Sequence, residues 1–207
     1  MTELSEHDHA VAARWNEILA TDTIEHRVEI INLRARPLKA AQHRHLNALF
    51  ASPRSVQAKI EGLWLAVDEV TAIAKPHAAC RRGCSHCCHI EVHMPEQEAA
   101  LIGKRIGVKP KQVIGNTMRG DIKGGYDNPC PFLEHDQCSI YEHRPLACRQ
   151  HVNMDRDALL CELTGEPNKV PYLNLFDYTT ALAMVTAEDG RRPKVGDIRQ
   201  FFPRGKR

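Results

Sequence analysis

Apolar residues upstream of Pro76 recur at helical spacing. Val11, Trp15 and Ile18 form one stripe, and Ile24, Val28 and Ile31 form a second after the break at Thr21-Asp22-Thr23, which predicts two short amphipathic helices. The clearest pattern is Val56, Ile60, Leu63, Val67 and Val70, in alternating steps of four and three, which puts all of them on one side of a helix. Ser52 with Pro53 behind it supplies an N-cap and a first turn, and Pro76 supplies a stop. Trp64 beside this stripe reads as core packing rather than as part of a cofactor box.

Further along, Ile90-Glu91-Val92-His93 reads as a short extended piece. Pro95 then opens a helix that runs through Glu96, Glu98, Ala99, Leu101 and Ile102 to about Ile106, its acidic first turn suiting the positive end of the helix dipole. From Met118 to Pro131 the chain is broken by Gly120, Gly124, Gly125, Asn128 and Pro129, and it reads as a loop. Leu175, Tyr178, Leu182 and Val185 mark a last helix, with Gly190 as its stop and a basic tail ending Arg204-Gly205-Lys206-Arg207.

A chain of 207 residues that is 43% hydrophobic can bury one sizeable core. Its net charge of +2, from 28 basic and 26 acidic residues, gives no field that argues for nucleic acid or an anionic membrane. Arg34, Arg36, Lys39, Arg44 and Arg54 come without interleaved aromatics and read as a solvated face. The polar, acidic start from Met1 to Asp8 has neither the basic nor the apolar region of a secretory signal, so a cytoplasmic location is expected. No stretch approaches the roughly 20 apolar residues of a membrane span.

What changes the picture is cysteine. Eight occur, all between Cys80 and Cys161, and in a reducing compartment such clustering points to metal binding or redox chemistry rather than to disulfides. The first group is Cys80, Cys84, Cys87 and Cys88, where gaps of three and two let a tight turn at Gly83 aim several sulfurs at one point. Successive side chains diverge in any regular backbone, so Cys87 and Cys88 are not expected to bind one small tetrahedral ion together. The second group, Cys130, Cys138, Cys148 and Cys161, is too spread to chelate locally and is expected to complete sites begun by the first. Crowded thiolates repel, and Arg81, Arg82, Arg144 and Arg149 are placed to offset that. His86, His89 and His151 lie close enough to replace a sulfur, whereas His43 and His45 read as exposed polar positions.

Four motifs in order, Cys-x3-Cys-x2-Cys-Cys at 80–88, Cys-Pro-Phe-Leu at 130–133, Cys-x-Ile-Tyr at 138–141 and Arg-Pro-x-x-Cys-Arg at 144–149, resemble the YkgJ-type cysteine-cluster family of zinc- or iron-chelating domains. The resemblance spans roughly residues 76–165 and implies a bound iron or iron-sulfur cluster, with zinc as the alternative. Cys161 resembles a last family cysteine but has no recognisable motif around it. Flagellin lysine-N-methylase looks like a relative of this family, which leaves open an enzyme or enzyme component.

The reading is therefore a mainly α protein, a helical scaffold around an irregular, metal-stabilised cysteine-rich core. It divides into an N-terminal helical region at 1–75, a cysteine-cluster metal-binding domain at 76–165, and a C-terminal helix with a basic tail at 166–207. The expected function is to hold iron, as such or as an iron-sulfur cluster, or zinc, through all eight cysteines. An enzyme and a zinc-stabilised protein-interaction adaptor are the alternatives, with no protein partner identified. The three-then-two spacing of Cys80, Cys84 and Cys87 is also that of radical S-adenosylmethionine enzymes, but those are barrels of alternating strands and helices, and the periodicity here is helical almost throughout.

Overall fold

A computed structural model describes residues 5–81, 83–116, 120–163, 169–187 and 193–204. The first helix, α1 (Glu6–Thr21), starts from a capping box in which the Ser5 hydroxyl accepts from the Asp8 N–H and the Asp8 carboxylate accepts from the Ser5 N–H. Asp22, in the left-handed region at φ 47°, turns the chain into α2 (Thr23–Ala51). The second predicted helix is thus much longer than its visible stripe, because Ile31, Ala35, Gln42, Leu46 and Leu49 continue a buried face that a small residue and an amide disguise. Pro37 sits inside α2 on its exposed side, where solvent can replace the lost helical hydrogen bond.

The cap of α3 (Val56–Ala74) is Ser55 rather than Ser52. The Ser55 hydroxyl accepts from the Ala58 N–H, while the Ser52 hydroxyl donates backward to the Leu49 carbonyl and closes α2. Two serines flanking a proline carry the same local signal, and the length of α2 decides between them. The stripe on α3 is buried as expected, with Ile60, Leu63, Val67 and Val70 all 0% exposed. Each such side chain contributes about 2 kcal/mol by burial. This central helix packs against α2 and against three helices further on. The buried Gln42 joins two of these partners, donating to the Ala66 carbonyl at 2.9 Å and accepting from the Tyr178 hydroxyl at 2.6 Å.

A 3-10 turn at Lys75–His77 ends α3 and hands the chain to the first cysteine group. Strand β1 (His93–Pro95) and α4 (Glu96–Ile106) follow; the strand lies later than the extended piece expected at 90–93 and shares only His93 with it, and Pro95 is the N-cap of α4 rather than part of its first turn. Strands β2 (Leu133–Glu134) and β3 (Gln137–Cys138) form a tight hairpin whose two turn residues, His135 and Asp136, have φ of 48° and 57°. The Arg-Pro motif leads into the short α5 (Leu146–Gln150). Then come α6 (Phe176–Thr186), β4 (Val195–Asp197) and α7 (Ile198–Phe201). β4 returns to pair antiparallel with β1, with His93 opposite Asp197, so the end of the chain is stitched to the segment just after the first cysteines. Among the described residues the only sheets are these two pairs, and the fold is mainly helical. No barrel of the radical S-adenosylmethionine kind is present among them. No helix among them is long and apolar enough to cross a membrane. The Gly190 stop and the last three tail residues lie outside the described residues.

Candidate metal centre

Four short pieces of chain carry the eight cysteines. Cys84, Cys87 and Cys88 sit on consecutive tight turns, Cys84 donating its N–H to the Arg81 carbonyl and Cys88 to that of Ser85, with Gly83 at φ 85° between Cys80 and Cys84. The second group is brought against the first by backbone: the Cys130 N–H donates to the Cys88 carbonyl at 2.6 Å, and the Gly125 N–H to the His89 carbonyl at 2.6 Å. Cys130 precedes the hairpin and Cys138 ends it, opposite Leu133. Cys148 lies on α5, and Cys161 closes a 3-10 turn.

All eight cysteines are free thiols, seven partly exposed and Cys130 buried. Their sulfurs influence one another across the two sequence groups. Burial pushes Cys148 well up, and the neighbouring thiols of Cys87, Cys130 and Cys138 push in the same direction. Burial raises Cys161 to about 12, seconded by Cys80, Cys84 and Cys87 and opposed by the Asn153 amide. Cys130 is held at about 11 by burial, with Cys138 beside it. Burial likewise raises Cys80 and Cys138. Cys87 is raised well above an ordinary thiol, first by its hydrogen bond with Cys88 and then by burial. Cys87 therefore neighbours thiols of both groups. Although the thiols are close, among the described residues no three Cys, His, Asp or Glu side chains are already drawn together as a finished metal site.

The positive charges divide differently from expectation. Arg144 stands near Cys87, Cys138 and Cys148 and favours their thiolates, while it stacks on Tyr141 at 3.9 Å. Arg81 is a weak neighbour of Cys80, and its guanidinium donates to the Ala78 and Cys80 carbonyls. Arg149 is bound to acidic and backbone partners. It pairs with Asp68, donates to the Arg144 and Glu142 carbonyls at 2.8 and 2.6 Å, and lies 4.7 Å over the Trp64 ring, so it fixes the Arg-Pro loop onto α3. Arg82 lies outside the described residues.

Of the histidines, His151 has its ring 4.2 Å from that of Tyr172, and burial lowers its pKa to about 4. His89 stacks on Tyr126 at 4.7 Å, with Nδ1 3.3 Å from the Gly125 carbonyl. His43 and His45 are exposed, as are Arg34, Arg36, Arg44 and Arg54.

Several residues that hold the site carry no local signal in the sequence. Asn153 donates from its backbone to Cys80 Sγ at 3.5 Å and from its side chain to Cys161 Sγ at 3.2 Å, which binds the first cysteine to the last. Arg199, paired with the fully buried Asp197, donates to the carbonyls of Asn128, Ile90 and Cys88 at 2.8, 3.1 and 3.4 Å. Arg204 donates to the Cys130 and Leu133 carbonyls at 3.0 and 3.1 Å. The described part of the basic tail is therefore a clasp on the cysteine loops. The fully buried Glu98 accepts at one oxygen from Trp64 Nε1 and from the Leu146 N–H, both at 2.7 Å, and so anchors the start of α5 ahead of Cys148. On the opposite side Arg14 of α1 is bonded to Asp155 at 2.6 Å and to Asp157 at 2.8 Å, in the loop that ends at Cys161.

Residues 79–169 match the model of the CxxCxxCC family, whose description reads "Putative zinc- or iron-chelating domain". This is the cysteine-cluster family that the four motifs resemble, over nearly the same stretch. No curated protein and no solved structure matches the chain. The family match supports metal binding by this part of the protein.

Proposed function

We propose that the protein holds iron, as such or as an iron-sulfur cluster, or zinc, through Cys80, Cys84, Cys87, Cys88, Cys130, Cys138, Cys148 and Cys161. One observation supports this reading: the two cysteine stretches are joined by backbone, the Cys130 N–H donating to the Cys88 carbonyl, and Cys87 neighbours thiols of both, Cys80 and Cys88 from the first and Cys138, Cys148 and Cys161 from the second. The donor set fits a thiophilic metal, since thiolate-rich sites suit both iron and zinc. The protein's own contribution is to bring the thiols together and to make their ionisation conditional. Buried thiols that keep their protons at neutral pH repel one another little, and they give those protons up when a cation takes their place. Arg144 favours the thiolates of Cys87, Cys138 and Cys148, and Asn153 holds Cys80 and Cys161 in register by donating to both sulfurs. A bound zinc supplies a structural crosslink or Lewis acidity, and bound iron supplies redox chemistry.

Elemental analysis of anaerobically purified protein for iron, zinc and acid-labile sulfide, with the visible spectrum, tests the reading. Stoichiometric iron or zinc is expected, lowered in Cys84→Ser and in Cys138→Ser. A wild-type protein with neither metal, which takes up neither when reconstituted, would overturn it.

A further inference from the structure

We infer that the eight cysteines form two adjacent metal centres, one built on Cys80, Cys84 and Cys161 and the other on Cys130, Cys138 and Cys148, with the Cys87–Cys88 pair at their junction. This rests on the metal-binding reading above and goes beyond it in number and in ligand assignment.

The packing divides the thiols before any metal is considered. Cys130 belongs to the main apolar core, and Cys88, Cys138 and Cys148 pack against it. Cys80, Cys84, Cys87 and Cys161 lie outside that cluster, and Cys80 and Cys161 both accept from Asn153. Separate pieces of backbone hold the two sets. Asn153 ties Cys80 to Cys161, whereas the hairpin of β2 and β3 ties Cys130 to Cys138, the Leu133 N–H donating to the Cys130 carbonyl and the Ser139 N–H to that of Phe132.

Coordination chemistry leads to the same division. A tetrahedral ion takes four sulfurs, and an iron-sulfur cluster of the common kinds also takes four, so a single centre leaves half of the thiols unused. Cys88 packs against the apolar core with Cys130, Cys138 and Cys148 whereas Cys87 does not, so the adjacent pair stands where the two sets meet. The backbone at Cys88 is already occupied in joining the groups, its carbonyl accepting from the Cys130 N–H and from Arg199.

Anaerobic, metal-free protein titrated with cobalt(II), followed through the sulfur-to-cobalt absorption, tests the assignment. The wild type should take up two equivalents, Cys161→Ser and Cys130→Ser should each retain one, and the double variant should retain none. Saturation of the wild type at one equivalent overturns the two-centre assignment and needs no variant to fold. Loss of all thiolate-bound cobalt from either single variant, with the helical circular dichroism intact, also overturns it. A wild type that binds no cobalt overturns the metal-binding reading itself, so the two failures are distinct.

Discussion

Glu98 combines full burial with only partial hydrogen bonding. One oxygen accepts from Trp64 and Leu146, while the other has no hydrogen-bond partner, and burial raises the pKa to about 7 against an ordinary 4.5, with Arg149 opposing. In the unfolded chain the carboxyl loses its proton near 4.5, and in the folded protein it keeps it to about 7. The native state therefore binds the extra proton between these values. Its contribution is fully present below the unfolded pKa and is lost as pH rises through the folded one. Urea unfolding of the metal-free protein should show stability falling by on the order of 3 kcal/mol across this window. In Glu98→Gln that slope should vanish, and an unchanged slope in the variant would contradict this account of Glu98. At this scale the sequence was legible where spacing carried the signal, as in Cys80, Cys84 and Cys87. It was silent on Glu98 and Asn153, because one acid in an amphipathic helix or one amide in a loop looks the same whether it faces solvent or a sulfur.

Among the elements, α3 and α4 were legible because each repeats one apolar face over several turns and has a proline near its start or end. The true extent of α2 was hidden, since its buried face includes Ala35 and Gln42, and with it the cap of α3 moved from Ser52 to Ser55. The pairing of β1 with β4 was not legible at all: two three-residue strands far apart in the chain have no periodicity to read. Their register sets the Arg199–Asp197 clasp. Removing the arginine leaves a 0% exposed carboxylate without its cation and frees the carbonyls of Cys88, Ile90 and Asn128. Arg199→Met should therefore cost about 3 kcal/mol, the penalty for an uncompensated buried charge. The same variant should bind metal more weakly than the wild type in a chelator competition. Wild-type stability together with wild-type metal affinity would show that the clasp is incidental.

For the whole molecule, the N-terminal helices are joined to the cysteine region rather than merely adjacent to it. Arg14 of α1 reaches the loop of Asp155 and Asp157, and Trp64 and Asp68 of α3 meet Glu98 and Arg149. The outer helices own continuous apolar faces and should keep their hydrogen-exchange protection without metal. Between Cys80 and Cys161 the cysteines themselves lie on turns, on a two-residue-per-strand hairpin and on the five-residue α5, outside α4, so the order of these pieces should depend on metal. Exchange with and without chelator should show protection lost there and kept on α3, whereas equal protection of the cysteine stretch in both samples would mean that protein contacts alone order it. A helical chain with a dense cysteine region was visible from the sequence. That the C-terminus closes over this region was not, because the contacts are hydrogen bonds from arginine to backbone carbonyls, which leave no residue pattern in the partner. The central claim, that cysteine sulfur from both groups binds a metal, is tested most directly by X-ray absorption at the metal edge of the purified protein. The account predicts a first shell made of sulfur, at about 2.3 Å from zinc or iron. A first shell dominated by nitrogen or oxygen would contradict it.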